Sequence, residues 1–174
     1  MKKFLLIAFT MVFLTSMSYA QDNSVKKELR KEKADAAYNY TKDLIISGDY
    51  VFEANRAYPL GTQSVTLTTR PNQIRINGKE ADISLPYFGA VRSGGGFNHT
   101  NGIQFKGEVR NYEVEYRDDK RKAIIRFDVA NDTETHRFFI TAGKAGDTRV
   151  IVSSSARNSI SYYGILGAPD KASR

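Results

Sequence analysis

Residues 112–140, YEVEYRDDKRKAIIRFDVANDTETHRFFI, decide the fold of this chain. Tyr112, Val114 and Tyr116 alternate with Glu113 and Glu115, the two-residue period of a strand with one apolar and one wet face. Asp118-Asp119-Lys120-Arg121 breaks the alternation and turns the chain. A second apolar series follows through Ala123, Ile125, Phe127 and Val129, and after Asn131-Asp132 a third runs through His136, Phe138 and Ile140. The first turn sets Val114 opposite Ile125 and Tyr116 opposite Ala123, and a turn on Asn131-Asp132 sets Phe127 opposite His136 and Ile125 opposite Phe138. One apolar face therefore runs through three consecutive antiparallel strands.

Working outward, the pattern repeats in both directions. Ile103, Phe105 and Val109 share one parity and Tyr112, Val114 and Tyr116 the other, which predicts a β-bulge or bend near Arg110-Asn111. Farther upstream, Tyr50, Phe52 and Ala54 alternate with Glu53 and Asn55, and short runs follow at Val65–Thr68, Ile74–Ile76 and Lys79–Leu85. Asn77-Gly78 between the last two is a strong hairpin signal, and closure on it pairs Ile76 with Lys79 and Arg75 with Glu80. Downstream, Gly143–Asp147 turns the chain, Val150-Ile151-Val152 reads as a buried strand without alternation, and Ile160–Leu166 is the last strand. Ahead of the strands, Leu29, Ala36, Ala37, Tyr40, Leu44 and Ile45 recur at helical spacing, which predicts a helix over Val25–Ser47 stopped by Gly48. Lys26, Lys27 and Arg30 oppose the dipole of its opening turns, which are expected to fray.

The fold expectation is α+β: an N-terminal helix with a curved antiparallel meander sheet, or a lipocalin-like barrel, of about 8–10 short strands. Closure removes edges that would otherwise invite aggregation.

The N-terminus reads as a secretory leader. Lys2-Lys3 precede an apolar run from Phe4 to Leu14, and small residues stand at Ser18 and Ala20, so cleavage is expected after Ala20. The apolar run falls well short of the roughly 20 residues that cross a bilayer. The expected organisation is a signal peptide at 1–20, a single domain at 21–167 and a flexible tail at 168–174, located in the periplasm or outside the cell. No cysteine is present, so neither a lipid anchor on a thiol nor a disulfide is expected, and the apolar core carries the stability. Without the leader's two lysines the charge falls from +7 to +5, and apart from Lys26–Lys33 the basic residues are scattered among acids, which speaks against a nucleic-acid partner.

Catalytic patterns do not stand out. The glycines at 94–96 lack the strand-to-helix context of a phosphate cradle, and His99 and His136 have no neighbours at metal-ligand spacing, so no cofactor or metal is expected. Ser153–Ser155 continues a strand and lacks a nucleophile elbow. The residues left over are aromatic. Tyr87, Phe88, Phe97, Tyr162 and Tyr163 have no parity partner and flank loops; with His99 in the glycine-rich loop they form a candidate ligand-binding set, or else they plug one end of the sheet.

Leu85-Pro86-Tyr87-Phe88-Gly89, Gly102-Ile103-Gln104-Phe105 and Asn158-Ser159-Ile160-Ser161-Tyr162-Tyr163-Gly164 resemble an uncharacterised family of small secreted or lipid-anchored proteins from Bacteroidetes-type bacteria, a domain of unknown function. The resemblance covers Tyr38 to Gly167 and implies one domain in a Gram-negative envelope, with no implied chemistry. The functional expectation is a non-catalytic binding protein for a small apolar or glycan-like ligand, or for an envelope protein. The alternatives are a hydrolase built on His99 with carboxylates and a structural envelope component.

Overall fold

The computed structural model describes residues 2–68, 71–88, 102–131 and 134–169, with side chains from Ser24 onward. Two compact units are present, Met1–Ala36 and Ala37–Arg174. The first is helical: α1 spans Lys2–Ser47, starting well upstream of the expected Val25 because neither Gly nor Pro interrupts residues 2–47. Residues 24–33 of this unit are exposed throughout.

The second unit contains the end of α1 and ten strands: β1 (Asp49–Pro59), β2 (Val65–Thr66), β3 (Gln73–Asn77), β4 (Glu80–Pro86), β5 (Gly102–Glu108), β6 (Arg110–Arg117), β7 (Lys122–Ala130), β8 (Thr135–Ala142), β9 (Asp147–Ser154) and β10 (Ile160–Gly167). Their lateral order is β5-β4-β3-β1-β10-β9-β8-β7-β6, all neighbours antiparallel, with β2 paired to β1 beside this path. This is an up-and-down meander in which the first strand pairs with the last. The two ends of the path, β5 and β6, are consecutive in the chain and separated only by Val109. They act as one bent strand, its first half bonded to β4 and its second to β7, so the sheet is a nearly closed, lipocalin-like barrel. Eight such positions around a barrel leave an interior that side chains just fill.

The bend has the bulge that the parity switch demands. Arg110 pairs with Asp128 and Glu113 with Arg126, so Asn111 and Tyr112 together oppose Phe127, and Asn111 takes φ +54. Val114 opposite Ile125 and Tyr116 opposite Ala123 are paired as expected. Two other hairpins differ from the sequence reading in the same way. Asn77 pairs with Glu80, and Ile76 with Ala81, because Gly78, at φ +59, is the first loop residue and Asn77 the last ladder residue. Phe127 faces Phe138, Ile125 faces Ile140 and Val129 faces His136, because Asn131 again closes the ladder: its N–H donates to the Glu134 carbonyl (3.0 Å) and its Oδ1 accepts from the Glu134 N–H (2.8 Å). Each turn sits one residue later than expected, which moves the register by two and keeps every side chain on its face. It sets Ile76 against Ala81 instead of a lysine, and stacks Phe127 on Phe138 at 4.9 Å. The strand around Val150–Val152 also alternates, with Ile151 half-buried on the outer side, since an antiparallel barrel wets its outer face.

The inward faces form one cluster to which every strand of the barrel contributes, with Tyr50, Phe52, Phe127, Phe138 and Tyr162 as its largest fully buried members. Two phenols inside satisfy each other: Tyr50 Oη and Tyr112 Oη lie 3.0 Å apart. One mouth is capped by residues 37–48. Tyr38 donates to Asp118 Oδ1 (2.7 Å), Lys42 Nζ pairs with Asp118 (2.8 Å), Thr41 Oγ1 accepts from the Gly146 N–H (3.1 Å), and the Gly48 carbonyl accepts from the Gly78 N–H (2.8 Å). The helical face that docks is therefore Tyr38, Thr41 and Ile45, while Tyr40, expected on it, is 58% exposed. The capping face is rotated because phenol and threonine hydroxyls are needed to satisfy the turns beneath.

β1 and β10 approach so closely at their bulge, between Ala54 and Arg56, that Gly164 has no room for a side chain: a Cβ there would lie 2.7 Å from the Glu53 carbonyl carbon and closer still to its oxygen. Gly164→Ala is expected to lower the unfolding free energy by more than about 2 kcal/mol, and Gly167→Ala, where nothing lies within reach, by less than about 0.5 kcal/mol, both read from urea unfolding curves.

Candidate functional site

The mouth opposite the helix is where β4 hands over to β5, β8 begins, β9 ends and β10 begins. An ionic cluster is buried there. Glu134, inward at the start of β8, accepts from Arg157 Nε (2.9 Å) and from the Ser154 hydroxyl, and lies 3.5 Å from His136 Nε2. Ser154 is brought alongside because it pairs with His136 across β8 and β9, and its Oγ also accepts the N–H groups of Ala156 (3.0 Å) and Arg157 (3.2 Å). Arg157 reaches on to the Gly102 carbonyl (3.3 Å) and lays its guanidinium over the Tyr87 ring at 5.2 Å. Tyr87 donates to the Asn158 carbonyl (3.1 Å), and Tyr162 to the Pro86 carbonyl (2.7 Å).

Two of the expected site residues, Tyr87 and Tyr162, thus meet at this mouth, both buried and both hydrogen-bonded into its walls. Tyr163, 39% exposed, lies on the outer face of β10, edge-on to Tyr58 at 5.0 Å and under the Arg149 guanidinium at 5.4 Å. Phe88 is exposed just beyond β4. Phe97 and His99, with the rest of the glycine-rich loop at 89–101, lie outside the described residues, as does the tail from 170. Sequence reading missed Glu134, Ser154 and Arg157. Glu134 and His136 stand two apart at the start of a strand and so share a face, a signal present in the sequence; Ser154 and Arg157 join them only through the β8–β9 register.

The chemistry of the cluster is that of a closed set of charges. The Ser154 hydroxyl is directed at a carboxylate, and its oxygen is occupied by backbone donors. His136 is 3% exposed and its Nδ1 has no hydrogen-bond partner among the described residues. Burial pushes the imidazole below its ordinary pKa; Glu134 opposes that shift and Arg157 adds to it, with a net lowering. Among the described residues no group of three or more His, Cys, Asp and Glu side chains is disposed to hold a metal.

A second feature lies outside the barrel. A cleft of about 340 Å³ runs along β1 beside β2 and the start of β3, lined by the amides of Asn55, Asn72 and Gln73 and by Leu67, Pro71 and Ile165. Backbone hydrogen bonds fix its walls: Leu67 N–H to the Asn55 carbonyl (2.9 Å) and Ala54 N–H to the Asn72 carbonyl (2.8 Å).

Removing Glu134 leaves Arg157 without its buried carboxylate. Glu134→Ala is expected to cost about 3–5 kcal/mol, and Glu134→Leu combined with Arg157→Met to recover part of that loss, as a double-mutant cycle in urea will report. Folding lowers the His136 pKa from the value near 6.5 that its unfolded counterpart has. The folded protein therefore binds fewer protons, and stability from this group is complete above about pH 6.5 and declines as the pH falls below it toward the folded value. Unfolding curves from pH 7.5 to 5.0 are expected to show that decline in the wild type and a shallower one in His136→Phe.

Known proteins place this architecture. A crystal structure of a DUF4251 family protein from Bacteroides eggerthii DSM 20697 superposes with a TM-score of 0.62 at 15% identity, covering 78% of this chain and 89% of the other, a likeness of fold. No curated protein matches the sequence. Residues 32–166, which take in the barrel almost entirely, match the family described as Domain of unknown function (DUF4251), and the chain belongs to that family.

Proposed function

We propose that this is an exported, non-catalytic binding protein of the cell envelope that holds a glycan-like ligand on the outside of its barrel. Export is supported by the leader pattern of residues 2–20. Among the described residues no helix is long and apolar enough to cross a membrane. The observation that carries the reading is the division between inside and outside. A lipocalin-like barrel ordinarily holds its ligand within, but here the inward side chains of all the barrel strands pack into one cluster. That leaves the outer surface for recognition.

The cleft beside β1 and β2 has the right chemistry for a sugar. Three amides supply donors and acceptors at its rim, while Leu67, Pro71 and Ile165 offer the apolar contact that the C–H face of a pyranose takes. Its size suits one or two sugar rings. The ionic cluster at the far mouth supports the same reading, since its charges are spent on one another and on the backbone.

Native mass spectrometry of protein purified from its own envelope fraction, followed by a glycan array, tests this directly. A bound or captured glycan is expected, with Asn55→Ala and Gln73→Ala each weakening it by up to about tenfold, the loss of one hydrogen bond. A chain that arrives bare and ignores every glycan, or that carries only a protein partner, would overturn the ligand assignment.

A further inference from the structure

We infer that a separate cleft, on the outside of β7, β8 and β9 at the helix-capped end, binds a phosphate-bearing anion. This cleft, of about 390 Å³, is walled by Lys120, Arg121, Lys122, Lys144 and Arg149, with one acid, Asp147, on its rim. The register explains why these residues converge. Ala123 pairs with Ala142, so the β6–β7 turn carrying 118–121 and the β8–β9 turn carrying 143–146 stand side by side. Thr141, Arg149 and Tyr163 are successive cross-strand neighbours on the outer face, which brings Arg149 to the floor of the cleft.

Several cations elsewhere on the barrel are already paired with acids. Arg117 and Arg126 share Glu115, Arg137 pairs with Asp128, and Lys42 with Asp118. Asp118, in the turn that also carries Lys120 and Arg121, is already engaged from the helix side by Lys42 and Tyr38. Among the described residues, Lys120, Lys122 and Lys144 have no ion-pair partner. Lys120, Lys122, Lys144 and Arg149, gathered around one cleft, repel one another until an anion enters, and a multiply charged phosphate relieves that repulsion better than a single carboxylate does.

Two independent features point to the same place. Among the described residues three that are not glycine adopt the left-handed backbone conformation; one is the bulge residue Asn111, and the other two, Arg121 (φ +51) and Ala145 (φ +58), stand at this cleft, one in each turn. Glycine or asparagine fits such positions without cost, and strained backbone of this kind gathers at ligand-binding surfaces. The Arg149 guanidinium also lies over the Tyr163 ring, 5.4 Å from its centre, a contact that restrains its fork before any ligand arrives. Such a fork takes two phosphate oxygens at once, and Thr141 adds a hydroxyl to the wall.

The phosphate belongs either to a soluble compound or to a lipid headgroup, and two probes separate these sources. Pyrophosphate is titrated calorimetrically into the purified chain, and co-sedimentation is measured with phosphatidylglycerol vesicles against phosphatidylcholine vesicles. The comparison uses Lys122→Gln with Arg149→Gln, Lys120→Gln with Lys144→Gln, and Lys26→Gln with Lys27→Gln, which removes the same charge from the helical unit. Either cleft pair is expected to weaken binding by about tenfold or more, and the helical pair to leave it unchanged. Pyrophosphate binding with that pattern identifies a soluble ligand, and binding confined to phosphatidylglycerol vesicles identifies a headgroup. Equal weakening by all three pairs would reveal mere net charge and overturn the inference, as would binding that no pair alters or the absence of binding to both probes. Circular dichroism checks that each variant is folded; the second cleft pair decides the matter if the first is not.

Discussion

Everything in the barrel depends on one strand bending far enough to serve both ends of the sheet. β5 gives its hydrogen bonds to β4, β6 gives its own to β7, and Val109 alone stands between them. Unbroken alternation from Ile103, Phe105 and Val109 would turn Glu113 and Glu115 inward, and the extra residue at Asn111-Tyr112 instead puts Tyr112, Val114 and Tyr116 against the interior. The bulge and the closed core are therefore one structural decision.

The interior in turn limits what the two ends do. At one mouth the helix satisfies the turns with a phenol, a hydroxyl and an ammonium group. At the other, Glu134, Arg157 and Ser154 consume each other's hydrogen-bonding capacity beneath Tyr87. Such a buried set fixes geometry more than it adds stability, since desolvating the charges offsets most of their attraction. The outer wall then carries two stretches of contrasting chemistry, one lined by amides and apolar groups, the other by cations around an arginine set over a tyrosine ring.

The parity of side chains was legible from the sequence because it repeats every two residues and survives an error in any one turn. Ile74, Ile76, Ile125, Phe127 and Phe138 all lie inside as read, even though Ile76 and Phe127 have different partners from those expected. The turns were misplaced because asparagine tolerates both the loop and the ladder position next to it, and what decides is the partner gained across the strand: Ala81 for Ile76, Phe138 for Phe127. The helix face was read from apolar spacing alone, which favoured Tyr40; hydroxyl contacts with turns some 80 residues away turned it toward Tyr38. The ionic cluster and the basic cleft were illegible for the same reason. Arg157 and Glu134, or Lys122 and Arg149, become neighbours only after the strands are in register.

The pairing of β1 with β10 has a consequence for how the molecule is made. Every other lateral contact joins segments close together in the chain, whereas this one links Val51 to Gly167 and Pro59 to Ile160. A polypeptide emerging from its amino end releases β1 long before the strand that must lie beside it exists. Neighbouring hairpins assemble quickly, but the wall is completed only by the slow search of two distant termini for each other. Until the ribosome has delivered β10, the barrel remains an open, threadable ribbon.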